Sequence, residues 1–253
     1  MSVSIKSARE IELMRTAGKL LEEVHNELAD FVRPGISTLD IDHYGERLIR
    51  KRGCIPNFLN YNGYPASICV SVNDEVVHGI PHKERILQEG DIVSLDAGLI
   101  YKGYHSDAAR THAVGKISPE AEQLIKATKQ SFFEGIKYAR AGHHLHEISN
   151  AINDYIDTFG YGVVQDLVGH GIGTKLHEDP QIPNFHQRRR GVKLMPGMTL
   201  AIEPMINAGG WEVVWLDDDW TVVTEDGSLS AHYENTVLVT NGEPEILTLS
   251  SPM

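Results

Sequence analysis

The sequence predicts an α+β fold, one domain over residues 1–253 assembled from two repeated halves, about 7–113 and 118–248. Two observations carry this. Helical periodicity and strand-forming runs are clustered, helices first and strands after, instead of alternating as a parallel sheet requires. The punctuation also repeats: Arg33-Pro34-Gly35 and Arg140-Ala141-Gly142 stand as far apart as Gly53 and Gly160 do. Each half reads as helix, break, helix, glycine, strands. No Gly/Ser-rich linker divides them, so one sheet and one core are expected to serve both.

Ser7-Ala8-Arg9-Glu10 has the spacing of a capping box. Ile11, Met14, Leu20, Leu21, Val24 and Leu28 then follow helical spacing until Pro34-Gly35 stops the helix. A second helix is expected from about Thr38 to Arg52. An aromatic, irregular stretch follows from Pro56 to Pro65. Strands are expected over Ser67–Val72 and Glu75–Pro81, with His78 at the exit. From Ile92 the chain reads as a β-hairpin. With its turn centred on Tyr101-Lys102, Asp96 and Asp107 would be direct cross-strand partners, with Cβ atoms about 5 Å apart. Carboxylates that close repel unless a cation lies between them.

The pattern then restarts. Ser118-Pro119 opens a helix expected to reach about Arg140, and the next is expected to reach about Phe159. His143, His144 and His146 fall at the start of that second helix and are expected to be exposed. The later strands carry Gly169-His170-Gly171-Ile172-Gly173, Leu200–Met205 and Ser230–Val239. The glycines around His170 suggest close backbone approach beside a ligand. No Gly-Lys-Ser/Thr follows, so this is not a phosphate loop.

Asp96, Asp107, His170, Glu203 and Glu234 all fall in expected central strands, where charge is seldom buried unpaired. An oxygen-rich set with one imidazole suits a hard or borderline divalent ion better than structural zinc. Four carboxylates exceed the need of one ion and suit two. Paired ions activate water against carbonyl or phosphoryl groups. The lack of a basic cluster, the extra His78 and His177, and the nearby aromatics favour carbonyl chemistry.

Composition narrows the classes. The net charge of −12 disfavours broad contact with nucleic acid or anionic membrane. Apolar runs fall short of the roughly 18 residues of a membrane span. Met1–Lys6 does not read as a signal peptide. Cys54 and Cys69 make no disulfide framework, and a cytoplasmic protein is expected. Arg188-Arg189-Arg190 reads as a solvated loop.

The five ligand candidates in order, with the contexts Gly169-His170-Gly171-Ile172-Gly173, Leu176-His177-Glu178-Asp179-Pro180, Ile202-Glu203-Pro204-Met205 and Ser230–Thr236, closely resemble the type I methionine aminopeptidases of the pita-bread metallopeptidases. The resemblance runs from Ile5 to Leu238. It implies the pita-bread fold, with pseudo-two-fold halves around a curved antiparallel sheet. Prolidases and aminopeptidases P carry a large extra N-terminal domain, and type II enzymes an inserted helical subdomain. The capping box at residue 7 and the short interval from His170 to Glu203 point to the short bacterial form.

The resemblance also implies roles. Asp96, Asp107, His170, Glu203 and Glu234 would bind two divalent ions (Mn, Fe, Co or Zn), with Asp107 and Glu234 bridging. A hydroxide held by the metals would attack the first peptide carbonyl, Glu203 would pass the proton to the leaving amine, His177 would hold the carbonyl oxygen, and His78 would contact the adjacent amide. Tyr61, Tyr64, Cys69 and Trp220 would form the methionine pocket. Phe58 stands where a small residue is familiar and Leu176 where an aromatic is, which bears on the pocket rim and not on the reaction. The implied partners are nascent chains and short peptides with N-terminal Met and a small second residue. Transient ribosome contact would follow, although the acidic charge lends it nothing, and a monomer is implied. An X-Pro peptidase is the neighbouring reading. A non-catalytic binding module is a distant one, because known modules of that kind have lost ligands that are all present here.

Overall fold

The computed structural model describes residues 3–249; the first two and last four positions of the expected domain lie outside the described residues. In chain order the elements are α1 (Ala8–Phe31), α2 (Thr38–Lys51), β1 (Ile55–Pro56), β2 (Ile68–Val72), β3 (Glu75–Val77), β4 (Ile92–Tyr101), β5 (Tyr104–Ala113), α3 (Pro119–Ile136), α4 (Leu145–Asp157), β6 (Gly162–Val163), β7 (Gly169–Gly171), β8 (Glu178–Ile182), β9 (Thr199–Ile202), β10 (Met205–Asn207), β11 (Val213–Trp215), β12 (Val222–Thr224), β13 (Ser230–His232), β14 (Glu234–Leu238) and β15 (Glu245–Ile246).

Local chemistry sets the helix starts. Ser7 N–H donates to Glu10 Oε2 at 2.7 Å and Glu10 N–H to Ser7 Oγ at 3.4 Å, closing the capping box. Ser37 and Asp40 make the same reciprocal pair at the head of α2, both at 3.0 Å. Helix α3 ends at Ile136, short of the expected Arg140. Arg140 bridges to Thr240 and Ala141 N–H donates to Thr240 C=O, so pairing with the chain beyond β14 draws this segment out of the helix.

The main sheet is antiparallel in the order β1-β4-β5-β14-β9-β7-β8, with β2 also on β4 and β15 also on β14. The β5–β14 pairing joins strands from the two ends of the chain into one sheet. Leu21, Val24 and Leu28 of α1 and Ile41, Leu48 and Ile49 of α2 pack with Val70, Leu95 and Leu99. Phe132 of α3 and Ile148 and Ile152 of α4 pack with Ile182, Leu200, Ile202 and Val237. Two three-stranded sheets, β13-β10-β6 and β11-β12-β3, flank this frame.

The central hairpin departs from its expected register. Tyr101 pairs with Tyr104, which puts Lys102-Gly103 in the turn, both at positive φ. A two-residue hairpin turn of this kind needs left-handed backbone at both positions, which glycine supplies without cost and Tyr101 would not. Asp96 therefore pairs with Ala109, and Asp107 with Gly98. The two aspartates are diagonal neighbours on one face and not direct partners.

His143, His144 and His146 are half-buried, not exposed. Backbone bonds from Leu145 N–H to Val192 C=O and from Leu194 N–H to His143 C=O lay the 190–194 segment over them. Arg188–Arg190 is exposed as expected. Cys54 and Cys69 are both free and buried. Among the described residues no helix is long and apolar enough to cross a membrane.

Candidate active site

The five ligand candidates converge at the floor of a cavity of about 280 Å³. Asp96 lies within β4, Asp107 within β5, and His170 at the centre of β7. Glu234 is the first residue of β14. Glu203 lies one residue past the end of β9, not inside the strand, because Pro204 has no N–H to continue the ladder.

One ligand atom each from Asp107, His170 and Glu234 lie within 4.8 Å of one another, and all three residues are buried. His170 Nε2 is 3.6 Å from Glu203 Oε1 and 3.9 Å from Asp107 Oδ2. The other ring nitrogen, Nδ1, donates to Gly171 C=O at 2.8 Å, which directs the Nε2 lone pair at the carboxylates. Burial, aided by His177, takes the His170 pKa down to about 3, so the ring is neutral as a ligand must be.

The carboxylates are shifted the other way. Burial raises Asp96 to about 7, with a hydrogen bond to Asp107 pulling against it. Burial and the mutual repulsion of the acids hold Asp107, Glu203 and Glu234 well above the usual range. Asp96 Oδ1, Asp107 Oδ1 and Glu234 Oε1 are buried without a hydrogen-bond partner. Orphaned acidic oxygens around a neutral imidazole are the donor set that divalent cations complete.

The backbone behind the site is tightly held. Asp107 N–H donates to Thr236 Oγ1 at 3.0 Å, and that hydroxyl donates to Asp107 C=O at 2.9 Å. Opposite Asp107, a Cβ on Gly98 would fall 2.9 Å from Asp107 Oδ1 and 2.5 Å from Asn57 Nδ2. The glycines beside His170 let neighbouring strands approach closely. A Cβ on Gly169 would meet Ala201 C=O at 2.4 Å, and one on Gly171 would meet Asp179 C=O at 2.2 Å.

The apolar wall is Phe58, Tyr61, Tyr64, Cys69, Leu176 and Trp220. Tyr64 meets Trp220 edge-on at 5.2 Å and donates its hydroxyl to Gly79 C=O at 2.9 Å. Burial pushes the Cys69 thiol well up, so it is a neutral wall and no nucleophile. His78 has φ of 60° just past β3, and burial lowers its pKa to about 4. His177 stands 4.2 Å from the His170 ring, with its Nδ1 2.8 Å from the Tyr61 hydroxyl.

Every site residue expected from the sequence thus lines this one cavity. Val77, Leu167, Val168 and Met205 also line it and were not anticipated. Two further residues were missed. His232 Nε2 lies 3.9 Å from Glu203 Oε2, and its place two residues before Glu234 was the available signal. Arg110 braces the floor from behind, donating to the carbonyls of Ala109 and Glu234 and to Asn235 Oδ1; only its spacing from Asp107 hinted at this.

Fold and site together define a metal-dependent hydrolase. Residues 12–241 match metallopeptidase family M24. A methionine aminopeptidase of Clostridium acetobutylicum is 55% identical over 247 residues, which cover 98% of this chain and 99% of that protein. The crystal structure of methionine aminopeptidase from Rickettsia prowazekii superposes with a TM-score of 0.96 at 38% identity, covering 98% of this chain and 100% of that one. That from Thermotoga maritima gives 0.95 at 43% identity, over 98% and 99%. The chain belongs to metallopeptidase family M24 and, within it, to the methionine aminopeptidases. Its antiparallel α+β frame is the pita-bread fold that the resemblance implied.

Proposed function

We propose that this enzyme removes the N-terminal methionine from peptides and nascent proteins whose second residue is small. The observation that carries the reading is the cavity itself, with a cation-seeking floor beside a confined apolar wall. At about 280 Å³ it is at the lower bound of ordinary ligand pockets, which supports one bound side chain and a small neighbour. Methionine is an unbranched thioether that packs well against aromatic rings such as Tyr64 and Trp220.

Asp96, Asp107, His170, Glu203 and Glu234 would hold two divalent ions, manganese, iron, cobalt or zinc. Bound there, such ions supply Lewis acidity to a water and to the scissile carbonyl. Glu203, whose Oε1 lies 3.6 Å from His170 Nε2 at the floor of the cavity, would carry the proton to the leaving amine. The Tyr61 hydroxyl lies 2.8 Å from His177 Nδ1; donating there, it would leave the proton on Nε2 to meet the carbonyl oxygen as charge develops. His78 meets the neighbouring substrate amide, and Phe58 and Leu176 shape the mouth.

The same reading includes a monomeric, cytoplasmic enzyme that touches the ribosome transiently through its substrate. It also includes the two repeated halves, about 7–113 and 118–248. Their matched breaks support this: Gly35 and Gly142 have φ of 87° and 94°, and Gly53 and Gly160 have 70° and 72°.

The test is release of free methionine from Met-Ala-Ser by metal-free protein, with each divalent ion restored in turn under anaerobic conditions. Metal-dependent release, with Ala-Pro-Ala left intact, is expected. Cleavage of Ala-Pro-Ala in its place would make this an X-Pro peptidase, and no release with any ion would overturn the enzymatic reading.

A further inference from the structure

Outside the cavity, one stretch concentrates the exposed apolar surface. Trp211, Val214, Trp215 and Leu216 are four of the nine large apolar side chains exposed among the described residues. They lie on β11 and its flanks. β11 is the outer strand of the β11-β12-β3 sheet, so among the described residues one of its edges has no strand beside it. Exposed apolar edges invite pairing with another chain.

The register shows where this edge lies relative to the cavity. Trp215 pairs with Val222, and Val222 pairs with Val77. Directly paired residues share one face of a sheet, so the three side chains form a row. Val77, 4% exposed, lines the cavity beside His78. Val222 is fully buried and Trp215 is 49% exposed, so the row runs from the cavity wall to solvent. At roughly 4.8 Å per strand, Trp215 stands about 10 Å from Val77. An extended chain covers that in about three residues.

Charge gives the strip a preference. Glu212, Asp217, Asp218, Asp219 and Glu225 are exposed around it, and no lysine or arginine occurs after Lys193. Asp218 is committed to the turn, accepting from the N–H groups of Trp220 and Thr221. Trp220, at the end of the same turn, is part of the cavity wall.

We propose that the β11 edge and its acidic flanks are a docking strip for the substrate chain beyond its second residue, selective for extended segments that alternate apolar and cationic side chains. The proposal rests on the peptidase reading above. A chain leaving the cavity past His78 and Trp220 meets Trp215 about three residues on. There it can add a strand to the free edge, cover the indole, and set its cations against Asp217 and Asp219.

The experiment compares three peptides: Met-Ala-Ser, Met-Ala-Ser with an alternating valine–lysine tail, and the same with a valine–glutamate tail. The lysine tail is expected to lower KM about tenfold, equivalent to about 1.4 kcal/mol, with kcat unchanged. Trp215→Ser, and separately Asp217→Lys with Asp219→Lys, should abolish that gain and leave Met-Ala-Ser turnover as it was. Calorimetry of the tailed peptides on metal-free protein should give the same ranking, so the strip is tested even if Met-Ala-Ser cleavage, and with it the peptidase reading, fails. Equal KM and equal binding for all tails would overturn the proposal. So would sedimentation showing a concentration-dependent dimer that Trp215→Ser dissolves, because the edge would then belong to a second copy of this chain.

Discussion

Glu178 and Glu234 are both acids held at the sheet, and the fold treats them in opposite ways. Burial pushes Glu178 up, but hydrogen bonds from Lys6 and Ser4 outweigh it and hold its pKa below the ordinary value. Its Oε2 accepts from Lys6 Nζ at 2.7 Å and Ser4 Oγ at 2.5 Å, and its Oε1 from Lys175 N–H at 3.2 Å. Burial raises Glu234 as well, but there Asp107, Glu203 and Asp96 add to it and only Arg110 opposes. The first acid is neutralised inside the chain and the second is not. A buried charge left uncompensated by its own fold marks the place where an outside cation is required. The compensated pair has another use: it pins the segment that carries His177 to the N-terminal arm.

The largest effect separates these two roles. Asp107→Ala or Glu203→Ala should lower methionine release from Met-Ala-Ser by about a thousandfold or more, about 4 kcal/mol of barrier. The same changes should leave the melting temperature of the metal-free protein unchanged or higher, since each removes one member of a repelling set. A folded variant with full activity would remove these residues from the chemistry. Lys6→Met should do the reverse to stability. It strands Glu178 with side chains only 5% and 12% exposed, a loss of about 3 kcal/mol by analogy with other broken buried pairs. Chemical denaturation measures it, and a neutral result would mean that Glu178 is no better compensated than Glu234.

Acid–base linkage sharpens the contrast. Asp96 has its folded pKa raised to about 7, above an unfolded value of about 3.9. The folded state then holds a proton that the unfolded state has lost. This contribution is fully present below about pH 4 and fades as pH rises through about 7. Buried histidines act oppositely: His112 at about 4 and His170 at about 3 favour the fold as pH rises toward their unfolded value. The readout is therefore a difference. In chelator, the melting temperature of Asp96→Asn relative to wild type should climb steadily from pH 4 to 7, and restored divalent ion should cancel the climb by stabilising wild type alone. A flat difference would show that burial does not strain Asp96.

Local signals were the legible part of the sequence. The Ser7–Glu10 capping box, the glycine stops and the ligand positions all depend on near neighbours. The error in hairpin register was harmless for a geometric reason. Moving the turn by one residue changes each partner by two, so Asp96 and Asp107 keep one face. Glycines 169 and 171 were correctly read as positions of close approach, but the sequence does not say that carbonyls of β9 and β8 are what approach. Arg110 and His232 were missed because their partners lie more than a hundred and some thirty residues away, respectively, for Glu234 and Glu203. Contacts across such separations are set by packing, which no local pattern encodes.

The smallest effect tests the pinned side of the comparison at a single atom. Tyr61→Phe removes the hydroxyl 2.8 Å from His177 Nδ1 and keeps the ring. If that bond selects the tautomer, its loss should lower kcat by several-fold, about 1 kcal/mol, while KM moves little. The ring still packs against His177 at 5.4 Å between centroids, so binding of the methionine side chain should persist. Lys6→Met acts on the same imidazole through the backbone of Glu178. The two effects should therefore fail to add in the double variant, since both loosen one group. Strict additivity in kcat would separate the Tyr61 contact from the Lys6–Glu178 anchor, leaving that anchor to stability alone.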